Sequence, residues 1–237
     1  MELIEALKDF EMVLVGIGEE FQDKFENISL GNKNNPTIFE EFKRKKYIDE
    51  CDNDFVIEAY EKLEKMLEGK NYFVITLCND DKIFKTKINP ERIVAPCGSY
   101  SSLQCEEVCT NHIYEIKKYQ EELEQGKEPK CPNCGSNLVV NRIGNKKYSE
   151  EGYLKKWNMY MKWLQGTLNK NLCIIELGVG MTYPSVIRWP FEKVAYINQK
   201  AKFIRIHEFL YQLTEEINEK GISIKGNPVE LLRNQIV

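Results

Sequence analysis

The alternation of apolar and polar positions divides this chain into short buried strands and amphipathic helices. Residues 2–9 predict a short amphipathic helix, and "MVLVGIG" (12–18) a buried strand running into a glycine turn. Over 54–68, Val56, Tyr60, Leu63 and Leu67 recur at helical spacing. Gly69 then supplies a stop, because glycine accepts the left-handed conformation that closes many helices. "NYFVIT" (71–76) and "ERIVAP" (91–96) read as two further strands. Between 149 and 168, Tyr153, Trp157, Tyr160, Leu164 and Leu168 share one helix face, an aromatic stripe expected in a core. "NLCIIELGVG" (171–180) and "KFIRIHEF" (202–209) complete the buried strands.

Continuously apolar strands separated by helices predict an α/β fold, a parallel sheet with helices on both faces. Residues 101–145 break that pattern, being polar, cysteine-rich and without an evident apolar core of their own. They read as an insert in a domain made of 1–100 and 146–237. Ligands of parallel sheets bind at the carboxyl ends of the strands. The unusual residues gather there: Gly16 and Gly18, Cys78 to Asp80, Cys97 and Gly98, and Gly178 to Gly180.

Charge and composition narrow the function classes. The 33 Lys and Arg against 37 Asp and Glu give a net charge of −4, a poor match to a phosphate backbone, so no nucleic-acid partner is expected. "FKRKKY" (42–47), the one dense basic run, reads as a solvated helix face. The amino terminus carries acids where a secretion signal needs positive charge, and no stretch reaches the ~20 apolar residues of a membrane span. A cytoplasmic protein without membrane contact is expected. Eight cysteines in a reducing compartment point to metal or to chemistry.

Four of them have metal-ligand spacing. Cys105 and Cys109 are followed, after 21 residues, by Cys131-Pro-Asn-Cys134-Gly. Four thiolates suit tetrahedral Zn2+, and a closed four-cysteine set leaves no position for substrate, so a structural metal is expected. Cys51 and Cys173 read as small buried apolar residues.

"VGIGEEF" is a G-x-G turn, and "ELGVGMTYPS" (176–185) a second small-residue strand end where backbone amides and Thr182 can meet a ribose or phosphate. Together with the zinc insert, this order resembles the sirtuins over about residues 8–230. "VGIGEEF" stands at their first glycine turn, "ITLCNDD" at their T-x-N-x-D strand end, "PCGSY" at their His-Gly segment and "LGVG" at their Gly-Thr-Ser loop. "GSYSSLQC", "CPNCGSNLV" and "ELGVGMTYPSVIRWPF" are closest to the macrodomain-linked microbial class. That resemblance implies a Rossmann-like domain that binds NAD through Gly16, Gly18, Thr76, Gly178, Gly180, Thr182 and His207. It implies ADP-ribosyl transfer to an acceptor protein or carrier domain, rather than deacylation.

The departures fall on the chemistry. Cys78 replaces an asparagine, Cys97 the general-base histidine, and His207 a ribose-binding asparagine, while Thr76 and Asp80 are kept. The catalytic candidates are therefore Cys97, Cys78 and Asp80. A thiol with a pKa near ~8.5 is a poor base unless that value is lowered. Two readings stand: a transferase with Cys97 or Cys78 as thiolate, or a catalytically silent NAD or ADP-ribose binder serving as sensor or partner. A redox-switched Cys78–Cys97 disulfide is a minor third.

Overall fold

The computed structural model describes residues 7–22, 36–50 and 55–234. Most of the predicted helix at 2–9, and Cys51, lie outside them. Strands β1 (Met12–Ile17), β2 (Asn71–Thr76), β3 (Ile93–Val94), β7 (Leu172–Leu177), β8 (Ala201–His207) and β9 (Gly221–Lys225) form one sheet. All its neighbours pair in parallel, in the order β3-β2-β1-β7-β8-β9. The five buried strands appear where the apolar runs predict them. The sixth, β9, is only half-buried and short, so no apolar run announces it.

The sheet has an apolar layer on each face, as the period of two requires. Val13, Val15, Ile17, Ile175, Leu177, Ile204 and Ile206 enter one core with residues of helix α2 (Phe55–Leu67) and helix α5 (Pro228–Asn234). Leu14, Leu172, Ile174 and Phe203 enter the other, with helix α3 (Leu154–Gln165) and helix α4 (Arg188–Ile197). Gly16 belongs to this packing: a Cβ there would stand 2.5 Å from Ile187 and 2.8 Å from Phe191. In the aromatic stripe, Tyr160 is buried and Tyr153, Trp157 and Leu164 pack beside it. Leu168 does not join them; the helix ends at Gln165 and leaves Leu168 57% exposed.

Strand order reverses between β1 and β7. From β1 the chain builds outward through β2 and β3, then returns beside β1 to build the other half. That reversal leaves a crevice beyond the carboxyl ends of β1 and β7.

Before returning, the chain forms a second sheet from β4 (Gly98–Cys105), β5 (Tyr114–Glu115) and β6 (Leu138–Arg142), antiparallel in the order β5-β4-β6. Contrary to the sequence reading, it has an apolar core. Tyr100, Leu103, Cys105, Ile116, Leu123, Cys131, Leu138 and Val140 meet Ile38 and Ile48 of helix α1 (Ile38–Glu50). The cysteines and a distant helix complete this core, so the segment alone does not display it. The basic run on α1 is likewise not wholly solvated. Lys45 is buried and paired with Asp49, and the neighbouring Glu41 is buried and paired with Arg142 of β6.

Behind the crevice lies a buried ion network that the apolar pattern conceals. Arg205 of β8 donates to Glu176 of β7 (2.6 Å), to Glu192 of α4 (2.6 Å) and to the Gln212 carbonyl (2.7 Å). Arg188 donates to the carbonyls of Val179 (2.8 Å) and Leu210 (2.9 Å), tying the loops after β7 and β8 to α4. Among the described residues no helix is long and apolar enough to cross a membrane.

Removing one partner of a buried pair strands the other charge. Arg205→Met is therefore expected to lower unfolding stability by about 3–5 kcal/mol in urea titrations. Adding Glu176→Leu to it is expected to recover much of that loss.

Candidate functional site

The crevice is built where two turns touch. The Gly18 amide donates to the Leu177 carbonyl (2.9 Å) and the Glu20 amide to the Gly178 carbonyl (3.3 Å). A Cβ on Gly18 would lie 2.2 Å from the Gly178 oxygen and 2.3 Å from the Val179 Cα, so no larger residue fits without moving backbone. Gly178 itself has φ of +64°, and a Cβ there would meet Glu20 at 2.5 Å. Gly18, Gly178 and Gly180 thus line one junction, while Gly16 sits beneath it in the core.

Two carboxylates from the β1 turn fasten the neighbouring loops. Glu19 accepts hydrogen bonds from the amides of Gly180 (2.7 Å) and Thr182 (3.2 Å). Burial opposes ionisation of Glu19, but the Gly180 amide, the Thr182 hydroxyl and the other hydrogen bonds hold its pKa below the usual carboxylate value. Glu20 accepts from the Glu208 amide (3.1 Å) and lies 3.0 Å from Nδ1 of His207. His207 ends β8, and its Nδ1 also receives the amides of Phe209 and Leu210 at 3.1 Å. Its visible work is to shape the loop after β8.

On the β2 side, Thr76 is fully buried and its hydroxyl accepts the Cys78 amide (3.1 Å), which makes it a turn former. The Cys78 thiol donates to the Gly18 carbonyl (3.4 Å). Asp80 is buried and accepts the Lys82 amide (3.1 Å). Asn79 ties this loop to both neighbours, through Gln22 of the β1 turn and through the Tyr100 amide (2.9 Å).

Cys97 precedes β4. Gly98 has φ of +89°, and a Cβ there would lie 2.1 Å from the Asn141 carbonyl of β6, so Cys97 must be followed by glycine. The Cys97 carbonyl accepts the Ile143 amide (2.9 Å) and the Pro96 carbonyl accepts the Tyr148 hydroxyl (2.9 Å). Burial, with Glu19 nearby, pushes the Cys97 thiol up to about 12. Burial, with Asp80 nearby, raises Cys78 well above the ordinary thiol value. Burial thus favours the neutral form of both thiols at pH 7, and a thiolate at either position would need a further activator. They also pack into opposite core layers, and neither is in a disulfide. Cys173 is buried in β7, and burial raises its thiol to about 12, in keeping with a space-filling residue.

The four predicted metal ligands converge. The sulfurs of Cys105, Cys109, Cys131 and Cys134 all lie within 4.8 Å of one another, with Cys105–Cys134 at 3.5 Å and Cys109–Cys131 at 3.6 Å. Four thiolates at ~2.3 Å from a tetrahedral zinc stand about 3.8 Å apart, so the set fits the ion. Burial opposes ionisation of Cys131, yet the amides of Cys134 and Asn133 bring its thiol down to about 6. The Asn133 side chain donates to the Cys109 sulfur (3.3 Å). Such outer donors stabilise ligating thiolates.

A 330 Å³ cavity lies away from the crevice, between α1 and β6. Two pairs of its charged lining residues are already matched, Glu41 with Arg142 and Glu107 with Lys147. The tight glycine contacts, the two buried thiols and the loop-binding carboxylates gather at the crevice instead, which is the stronger candidate site.

Comparison with known proteins agrees with this geometry. The fold is that of the sirtuins. A structure solved in work on sirtuin substrate affinity superposes with TM-score 0.65 at 15% identity, covering 99% of this chain and 97% of that one. A Sir2 protein with a p53 peptide and NAD+ gives 0.63 at 14% identity, covering 98% and 95%. Sir2Af2 with a myristoylated histone peptide gives 0.59 at 20%, covering 98% and 92%. By sequence, the chain is 24% identical over 181 residues to the "Protein ADP-ribosyltransferase" of Staphylococcus aureus (strain Mu50), across 70% of this chain and 56% of that protein. It is 31% identical over 157 residues to a "Probable bifunctional ADP-ribose hydrolase/ADP-ribosyltransferase" of Fusarium oxysporum f. sp. cubense, across 58% of this chain and 26% of that protein. The chain thus spans about half of the first relative and a quarter of the second. No family model matches the sequence.

The sequence reads Glu19 and Glu20, after "GIG", as acids that favour a helix start and repel a pyrophosphate placed directly there. Their ties to loop amides, and the ties of Arg188 to loop carbonyls, were not legible because the partners are backbone groups of distant loops.

Two outcomes are expected from this arrangement. The purified chain should hold one equivalent of zinc by elemental analysis, and chelation or Cys131→Ser should lower its Tm. Alkylation of Cys97 by iodoacetamide, followed by peptide mass spectrometry, should be slow at pH 7–8 and keep accelerating as pH rises toward 12.

Proposed function

We propose that this chain is an NAD-dependent protein-modifying enzyme that transfers ADP-ribose to an acceptor protein. The observation that carries this reading is the crevice at the β1–β7 reversal, closed by Gly18 against Gly178 and Val179. Open parallel sheets take dinucleotides over the strand ends at such a reversal, where glycines let backbone approach the ligand closely. The names of the two relatives support the choice of ADP-ribosyl transfer.

NAD supplies an ADP-ribosyl group joined to nicotinamide as leaving group. The chain's own residues divide around it. The amides at 178–182 and the hydroxyl of Thr182 bind the polar middle of the ligand. Asp80, held by the Lys82 amide, is a buried acceptor for the nicotinamide amide or a ribose hydroxyl. Cys97 and the nearby Tyr148, Tyr153 and Tyr183 form a wall that excludes water. A neutral thiol does not deprotonate a ribose hydroxyl at pH 7, which argues against deacylation. The zinc set, on the second sheet, holds that sheet together and takes no part in the chemistry.

A second reading is a silent binder of NAD or ADP-ribose, acting as sensor or partner. It is favoured by the two neutral cysteines and by Glu19 on the loop amides.

Zinc-loaded, reduced protein incubated with NAD distinguishes the two by free nicotinamide. Release is expected, reduced about tenfold or more by Asp80→Asn and less by Cys97→Ala. Absence of release with an NAD-dependent rise in Tm would establish the binder instead. Absence of both would leave the likeness to sirtuins as one of fold alone.

A further inference from the structure

Glu19 is in an unusual place for an acid. Its side chain leaves the β1 turn, crosses the crevice and receives the amides of Gly180 (2.7 Å) and Thr182 (3.2 Å) with its two oxygens. Among the described residues no cationic side chain pairs with it. Three groups lie near enough to feel its charge: the Cys97 thiol, the Tyr183 phenol and Arg188. Cys97 is neutral, and Arg188 is already engaged with the carbonyls of Val179 and Leu210. Gly180 permits the approach, since a Cβ there would stand 3.1 Å from a Glu19 oxygen.

Backbone amides that converge on a carboxylate are, by that fact, an anion site. They are also the amides best placed to receive the diphosphate of a dinucleotide over these strand ends. One set of donors cannot serve both anions, and two like charges in a partly buried crevice repel.

We infer that Glu19 is a built-in competitor for the anionic part of the ligand, holding the 180–182 loop until a diphosphate displaces it. This rests on the reading of the crevice as a dinucleotide site. The contact makes the site closed by default. It weakens diphosphate ligands selectively, because a neutral nucleoside has no need of the amides that Glu19 holds. Glu20 does the equivalent structural work on the 207–210 loop, accepting the Glu208 amide, so both loops rest on the same turn.

The test is calorimetric titration of the zinc-loaded full chain with ADP-ribose and, separately, with adenosine. Glu19→Gln and Glu19→Ala are compared with the unaltered protein. Both variants are expected to bind ADP-ribose about tenfold or more tightly, with adenosine affinity unchanged. Measurable ADP-ribose binding that is equal or weaker in the variants overturns the competition while leaving the dinucleotide reading standing. No binding by any of the three proteins overturns both. A second measurement does not depend on the variants folding: in the unaltered chain, the 13C resonance of the Glu19 carboxyl should shift on saturation with ADP-ribose. A resonance that stays fixed while ADP-ribose binds contradicts the inference.

Discussion

The contact between Gly18 and the Gly178–Val179 backbone is the constraint from which the rest of the crevice follows. It sits where the sheet reverses direction, and there a single Cβ would force two loops apart. Because the turns touch, Glu19 and Glu20 reach the loops after β7 and β8, and the Cys78 thiol reaches the Gly18 carbonyl. The glycines serve less as flexible hinges than as surfaces without side chains. Loops from three strands are thereby held against one turn by backbone hydrogen bonds and buried acids.

A second layer of order lies behind that junction. Arg188 gathers the carbonyls of the two loops onto α4, while Arg205 of β8 bridges Glu176 of β7 and Glu192 of α4. A buried arginine with three acceptors is weak evidence of stability in itself. Here it fixes where loops 178–182 and 207–212 stand. The second sheet is organised in a different way, around four thiols and a core to which α1 contributes Ile38 and Ile48. Zinc and apolar packing are alternative means of compensating a small module for its limited core.

The scaffold was legible where one physical signal dominated. Largely apolar runs gave β1, β2, β7 and β8, because a strand buried on both faces admits few polar positions, and those it holds, such as Glu176 and Arg205, must be paired. The spacing of Cys105, Cys109, Cys131 and Cys134 was legible because a tetrahedron of sulfurs restricts the chain closely. Residues whose role depends on a distant backbone were not legible. Gly16 read as part of a binding turn, and the packing of Ile187 and Phe191 against it was not visible in the sequence. Thr76 and His207 looked like ligand contacts and in this structure organise turns through the amides of Cys78, Phe209 and Leu210. The reactivity of Cys97 was also out of reach, since a thiol's ionisation depends on burial and neighbouring charge rather than on its neighbours in sequence.

The central claim is that the crevice at the β1–β7 reversal is the ligand site. Mapping backbone amide chemical shifts of the zinc-loaded chain during titration with NAD tests it most directly. The largest shifts are expected at Gly18 to Glu20, at Gly178 to Thr182, and around Asp80 and Cys97. Shifts confined to the cavity walled by Glu41, Arg142 and Lys147, with the glycine junction unmoved, would contradict it.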